Sequence, residues 1–120
     1  MKNIIISISL LVLVLTLSSC EESANITIQN NVHNASLERV GWDGYTIANY
    51  LIPGEKKKYT VSDIKSNFPK NSVVKFYMRR DNNRVYLETK HTFTLDIDDN
   101  LVIVISDTTQ VRNPLLQEVE

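Results

Sequence analysis

LERVGWDGYTIANYLI, residues 37–52, carries the clearest structural message in this chain. Asp43-Gly44 sits at its centre, and that pair favours the positive φ values of a type I′ turn, whose twist matches that of a two-residue hairpin. The flanking runs, 37–42 and 45–52, are rich in Val, Ile, Leu, Trp and Tyr, side chains that suit a pleated, half-buried surface. The stretch therefore predicts two antiparallel strands. Trp42 and Tyr45 flank the turn directly, where a cross-strand aromatic contact contributes a few tenths to about 1 kcal/mol.

The same period of two recurs on either side. Ile26 and Ile28 alternate with Asn25, Thr27 and Gln29 as a first strand, ended by the turn formers Asn30-Asn31 and Asn34-Ala35-Ser36. Pro53-Gly54 marks another turn, and Tyr59 with Val61 opens a new apolar face after Lys56-Lys57-Lys58. Residues 62–70 break the alternation; Ser62 or Asp63 fits the cap of one helical turn that Pro69 would end, a crossover between sheets. Val74, Phe76 and Met78 then point one way and Lys75, Tyr77 and Arg79 the other, before Asp81-Asn82-Asn83 turns the chain into 85–87. Phe93, Leu95 and Ile97 alternate with Thr92, Thr94 and Asp96. Asp98-Asp99-Asn100 leads into 101–105, a solid apolar run that predicts a central strand covered on both faces. From Gln110 the pattern fades, and Pro114 argues against a further central strand.

No stretch sustains apolar residues at the i, i+3, i+4 and i+7 spacing of an amphipathic helix. About seven or eight strands, with turn signals every eight to twelve residues, predict an all-β fold: an antiparallel β-sandwich, immunoglobulin-like or transthyretin-like. A chain of 120 residues supports one such core.

The first nineteen residues differ in kind. Met1-Lys2-Asn3 is a short cationic start, and residues 4–17 form an uncharged run of Ile, Leu, Val, Ser and Thr, the layout of an export signal. As a helix that run reaches roughly 21 Å, short of the roughly 30 Å hydrocarbon core a permanent span must cross. Leu17-Ser18-Ser19-Cys20 follows, and it resembles the bacterial lipobox, an aliphatic and two small residues before a cysteine. The resemblance implies a diacylglyceryl thioether on Cys20, cleavage before it, and a protein held to a membrane by lipid. It covers only these first residues and implies boundaries of 1–19 for the signal, 20–23 for the lipidated cysteine and linker, 24–110 for the sandwich and 111–120 for a tail. Glu21-Glu22-Ser23 reads as a solvated linker; in Bacteroidetes-type lipoproteins, which this chain resembles, acidic residues here accompany surface display. The expected location is the cell envelope of a bacterium, with the outer membrane or cell surface favoured in a Gram-negative one.

Composition narrows the function. Once Lys2 leaves with the signal, 12 basic residues face 14 acidic ones, a net of −2, so the chain lacks the concentrated positive charge that tracking nucleic acid phosphates needs. Cys20 is the only cysteine, leaving no thiol for a disulfide or structural zinc within the domain. His33 and His91 are the only histidines, and no catalytic signature frames either. Asp96, Asp98, Asp99 and Asn100 are calcium-competent in type, but they lack the spaced acids and glycine of a calcium loop and match what a β-turn selects. Asp107-Thr108-Thr109 resembles the short O-glycosylation acceptor of Bacteroidetes.

The candidate binding residues are the aromatics Trp42, Tyr45 and Tyr50, whose alternative role is core packing, and the arginines Arg79, Arg80 and Arg84 around the 81–83 turn, whose alternative role is to keep strand ends soluble. Aromatic rings suit sugar faces, and guanidinium groups suit carboxylates and phosphates. The sequence thus predicts a noncatalytic module without a cofactor, tethered by lipid on Cys20, whose partner is an envelope protein or a surface polysaccharide. The alternative is an inhibitor or immunity lipoprotein that blocks a toxin, a lytic enzyme or a phage.

Overall fold

The structure, a computed structural model, describes residues 22–63 and 67–116. The expected signal peptide, and Leu17, Ser18, Ser19 and Cys20 of the expected lipobox, lie outside them. All regular structure among the described residues is β: β1 (Glu22–Asn31), β2 (Ser36–Trp42), β3 (Tyr45–Leu51), β4 (Lys56–Asp63), β5 (Lys70–Ser72), β6 (Val74–Arg80), β7 (Asn83–Thr89), β8 (Phe93–Leu95), β9 (Asn100–Ser106) and β10 (Val111–Arg112). The expected all-β sandwich is what forms. A three-stranded sheet of order β4-β1-β9 faces a five-stranded sheet of order β10-β7-β6-β2-β3, with a small β5-β8 pair beside them.

Asp43 and Gly44 take φ values of 49° and 80°, so the hairpin β2-β3 turns where the sequence places it, with Trp42 opposite Tyr45. Asp81, at φ 55°, turns the second hairpin, β6-β7. Between the layers the inward sets meet: Ile26, Ile28, Val61, Ile103 and Ile105 from one sheet, and Leu37, Val40, Trp42, Leu51, Val74 and Phe76 from the other, all at most 1% exposed. Burying one such side chain contributes about 1.5–3 kcal/mol, which pays for ordering a domain this small.

Several local expectations change. Asn30 and Asn31 do not turn the chain but complete β1. Glu22 and Ser23, expected in a linker, pair with Asp63 and Ser62 across β1-β4, and that pairing also makes Ser62 and Asp63 strand residues rather than helix caps. Residues 64–66, where the helical turn was expected to continue, lie outside the described residues. Val111 and Arg112, assigned to the tail, extend the larger sheet against Thr89 and Glu88. Ile97 leaves the strand and is 37% exposed in the following turn.

The largest correction concerns β9. It is an edge strand, joined to the central β1, and the two run parallel. Ile103 and Ile105 face the core, whereas Val102 and Val104 are 61% and 44% exposed. Continuous apolar sequence signals two covered faces in sheets flanked by helices. In a two-layer sandwich each sheet keeps one wet face, and the valines stand there through their preference for extended backbone.

A tyrosine and arginine face on the larger sheet

β2 poses a local problem that its backbone solves. Strict alternation from Leu37 would point Arg39 inward and Val40 outward, yet Leu37, Val40 and Trp42 are all buried. Arg39 takes φ 50°, and the register against β6 shifts between Glu38 and Gly41, a bulge that restores inward pointing beyond it. Since β2 lies inside the sheet and its inner face is packed, the exposed Arg39 stands on the outer face.

Register builds a row on that outer face. Glu38 pairs with Tyr50 on β3 and with Tyr77 on β6, and Tyr77 pairs with Tyr86 on β7. Tyr50, Glu38, Tyr77 and Tyr86 therefore cross four adjacent strands side by side. Tyr77 and Tyr86 meet edge to face with centroids 4.9 Å apart, a favoured aromatic geometry. The next row, two residues along, is Ser36, Arg79 and Arg84. Glu38 receives Arg79 Nε at 3.1 Å and Arg84 Nε at 3.5 Å, and the Arg84 guanidinium lies 3.8 Å from the Tyr77 ring centroid. Ser36 Oγ shares a hydrogen bond of 3.0 Å with the Tyr50 hydroxyl, tying the two rows together. One carboxylate, 19% exposed, thus orients two guanidinium groups, and that of Arg84 lies on the Tyr77 ring.

A third row holds Lys75, Glu88 and Arg112. Arg112 donates to the Glu88 carboxylate through Nε and Nη2, and Glu88 is nearly buried beneath it. Counting Arg39, Lys75, Arg79, Arg84 and Arg112 against Glu38 and Glu88 gives this face a formal +3, on a chain whose total is −1.

The six candidate binding residues separate. Tyr50, Arg79 and Arg84 come together on this face. Trp42 does not belong to a binding surface: it is 1% exposed, and its indole N–H donates to the Ser72 carbonyl at 3.1 Å. It is a core side chain that also ties β2 to β5. Tyr45, half-buried, packs inward against Tyr59 at 5.9 Å. Arg80 leaves for the far end of β1, where it donates to the His33 carbonyl at 2.7 Å beside a cleft of about 650 Å³ lined also by Met78, Ile105 and Asp107. Missing from the sequence reading were Tyr77, Tyr86 and Glu38. Their shared outward parity in two adjacent hairpin strands was the available signal for the tyrosines.

The remaining candidates hold turns. The Asp107 carboxylate accepts from the His33 main-chain amide at 3.0 Å, not from its ring, and Thr109 Oγ1 accepts from the Ser106 amide. His91 stacks edge to face on Phe93 at 5.1 Å. Asp99 accepts from the Asp96 amide and Asp96 from the Ile97 amide, so these carboxylates close their own turn. Among the described residues no group of three or more His, Cys, Asp or Glu side chains is placed to hold a metal ion. Lys56, Lys57 and Lys58 line the outer edge strand β4, where positive charge discourages pairing with another sheet. Comparison of the chain with protein-family models, curated proteins and solved structures finds no match.

Proposed function

We propose that this chain is a lipid-anchored cell-envelope protein whose β-sandwich acts as a noncatalytic binding module, with the tyrosine and arginine face as its recognition surface. The observation that carries this reading is the preorganised row Tyr50, Glu38, Tyr77 and Tyr86 with Arg79 and Arg84 fixed above it. Tyrosine and arginine are enriched in binding hot spots: tyrosine brings large contact area with only two rotors to freeze, and arginine a planar charged fork. Here strand pairing and ion pairing already fix them, so little conformational entropy remains to be lost on binding. A lipid on Cys20 would confine the module to a bilayer surface, where weak contacts gain from effective concentration.

Production of the full chain in a bacterial host tests the reading. Intact mass should show a mature protein beginning at Cys20 with added acyl mass, and Cys20→Ser should lose both the mass and the detergent-dependent membrane association. The double variant Tyr77→Ala/Tyr86→Ala should keep the anchor and lose capture of resident envelope material. Membrane retention of Cys20→Ser through high salt, or undiminished capture by the tyrosine variant, would overturn it. Capture and silencing of an incoming lytic enzyme would replace the module with an inhibitor.

A further inference from the structure

We propose that the ligand of this face is an acidic glycan: a polysaccharide whose sugar rings lie on the tyrosine row and whose carboxylates or phosphates meet the arginine row. This rests on the reading of the face as the recognition surface and adds the chemical class of its ligand. Three observations lead there.

First, the two rows run parallel across the strands, about 7 Å apart along them. A polymer lying across β3, β2, β6 and β7 would therefore meet the tyrosines along one flank and Arg79 and Arg84 along the other, with Arg84 covering one face of the Tyr77 ring between them. That is the pattern of a chain with apolar ring faces and pendant anionic groups. Second, the charge is complementary: a formal +3 on a chain of net −1, with Arg79 and Arg84 presented by one shared carboxylate. Guanidinium forks recognise carboxylate and phosphate oxygens in pairs, which adds direction to the attraction.

Third, the middle of the face is formed by β2 and β6, which carry Glu38, Tyr77 and Arg79 and are each hydrogen-bonded to a strand on both sides. An extended peptide gains its affinity at a free sheet edge through main-chain bonds, and β2 and β6, where the two rows meet, offer none. A glycan needs no such edge, since side chains alone serve its hydroxyls, ring faces and charges.

The place of the anchor favours the glycan over a lipid surface. β1 begins at Glu22, two residues after Cys20, a reach of at most about 7 Å. The tether would thus leave from the end of a strand in the three-stranded sheet, in the layer opposite the tyrosine and arginine face.

The test uses the mature lipidated protein held in phosphatidylcholine nanodiscs. Its binding to polygalacturonate is compared with binding to the same polymer after carboxyl reduction, and with binding to vesicles containing phosphatidylglycerol. The expected result is saturable binding to polygalacturonate that weakens as salt is raised to physiological strength, where screening reaches about 8 Å. Carboxyl reduction, Arg79→Ala/Arg84→Ala and Tyr77→Ala/Tyr86→Ala should each weaken it by more than about tenfold. Circular dichroism and thermal melting should show every variant folded. Equal binding of the carboxyl-reduced polymer, binding unaffected by either variant, or preference for the vesicles would overturn the proposal. A chain that is lipidated and captures an envelope protein through Tyr77 and Tyr86 but ignores both polymers would refute the glycan and leave the anchored module standing. Loss of anchoring in the wild type, with glycan binding kept, would do the reverse.

Discussion

Asn30 shows how much one side chain can carry. Fully buried near the end of β1, it donates from Nδ2 to the carbonyls of Ala35 and Leu51 at 2.8 and 2.9 Å and accepts the Val32 amide at 2.9 Å. Its main chain also pairs with Gly54 and Glu55. The residue thus knits β1 to the turns before β2 and after β3. Asn30→Ala would leave buried main-chain groups unpaired, at about 1–3 kcal/mol each, so a loss of roughly 3 kcal/mol is expected in urea unfolding. Arg39 is the second case. A left-handed backbone costs a residue with a Cβ about 1–2 kcal/mol, more when the side chain branches there. Arg39→Gly is expected to stay within about 1 kcal/mol of wild type, while Arg39→Val should lose about 2 kcal/mol. Equal stabilities of the two variants would show that the bulge is not fixed by this dihedral.

β9 poses the same question for a whole element. Its inward residues Ile103 and Ile105 are each 1% exposed, and truncating either to Ala should cost 2–5 kcal/mol, within the range of about that size for buried aliphatics. Val102 and Val104 face water, so Val102→Lys/Val104→Lys should change stability by less than about 1 kcal/mol. The lysine pair should also raise solubility, because β9 is an uncharged edge whereas β4, at the opposite edge of the same sheet, carries Lys56, Lys57 and Lys58. Denaturation midpoints and precipitation thresholds of the four proteins check both statements. A large loss of stability in the lysine pair would return β9 to the covered, central role its composition suggested.

Across the whole molecule, protection should follow sheet order. β1, β2 and β6 each pair on both sides in their sheets, whereas β5, β8 and β10 are two or three residues long and pair on one side. Native-state amide exchange is therefore expected to be slowest in the first three and fastest in the last three. Slow exchange in β10 would mean that the sheet extends further past Arg112 than its pairing with Thr89 and Glu88.

Sequence by itself determined the fold class, the hairpins at Asp43-Gly44 and Asp81-Asn82, and most of the inward set, because turn dihedrals and period-two burial are local properties written in neighbouring residues. The tertiary structure alone decided what depends on distant partners. It paired β1 with β9 in parallel, a contact that no turn signal announces because a parallel pair needs a long crossover. It sent Trp42 into the core, brought Tyr50 beside Glu38, Tyr77 and Tyr86, and carried Arg80 away from Arg79. Alternation tells which residues share a face of one strand. Which strands lie side by side, and so which side chains become neighbours, is set by the packing of two sheets over one core.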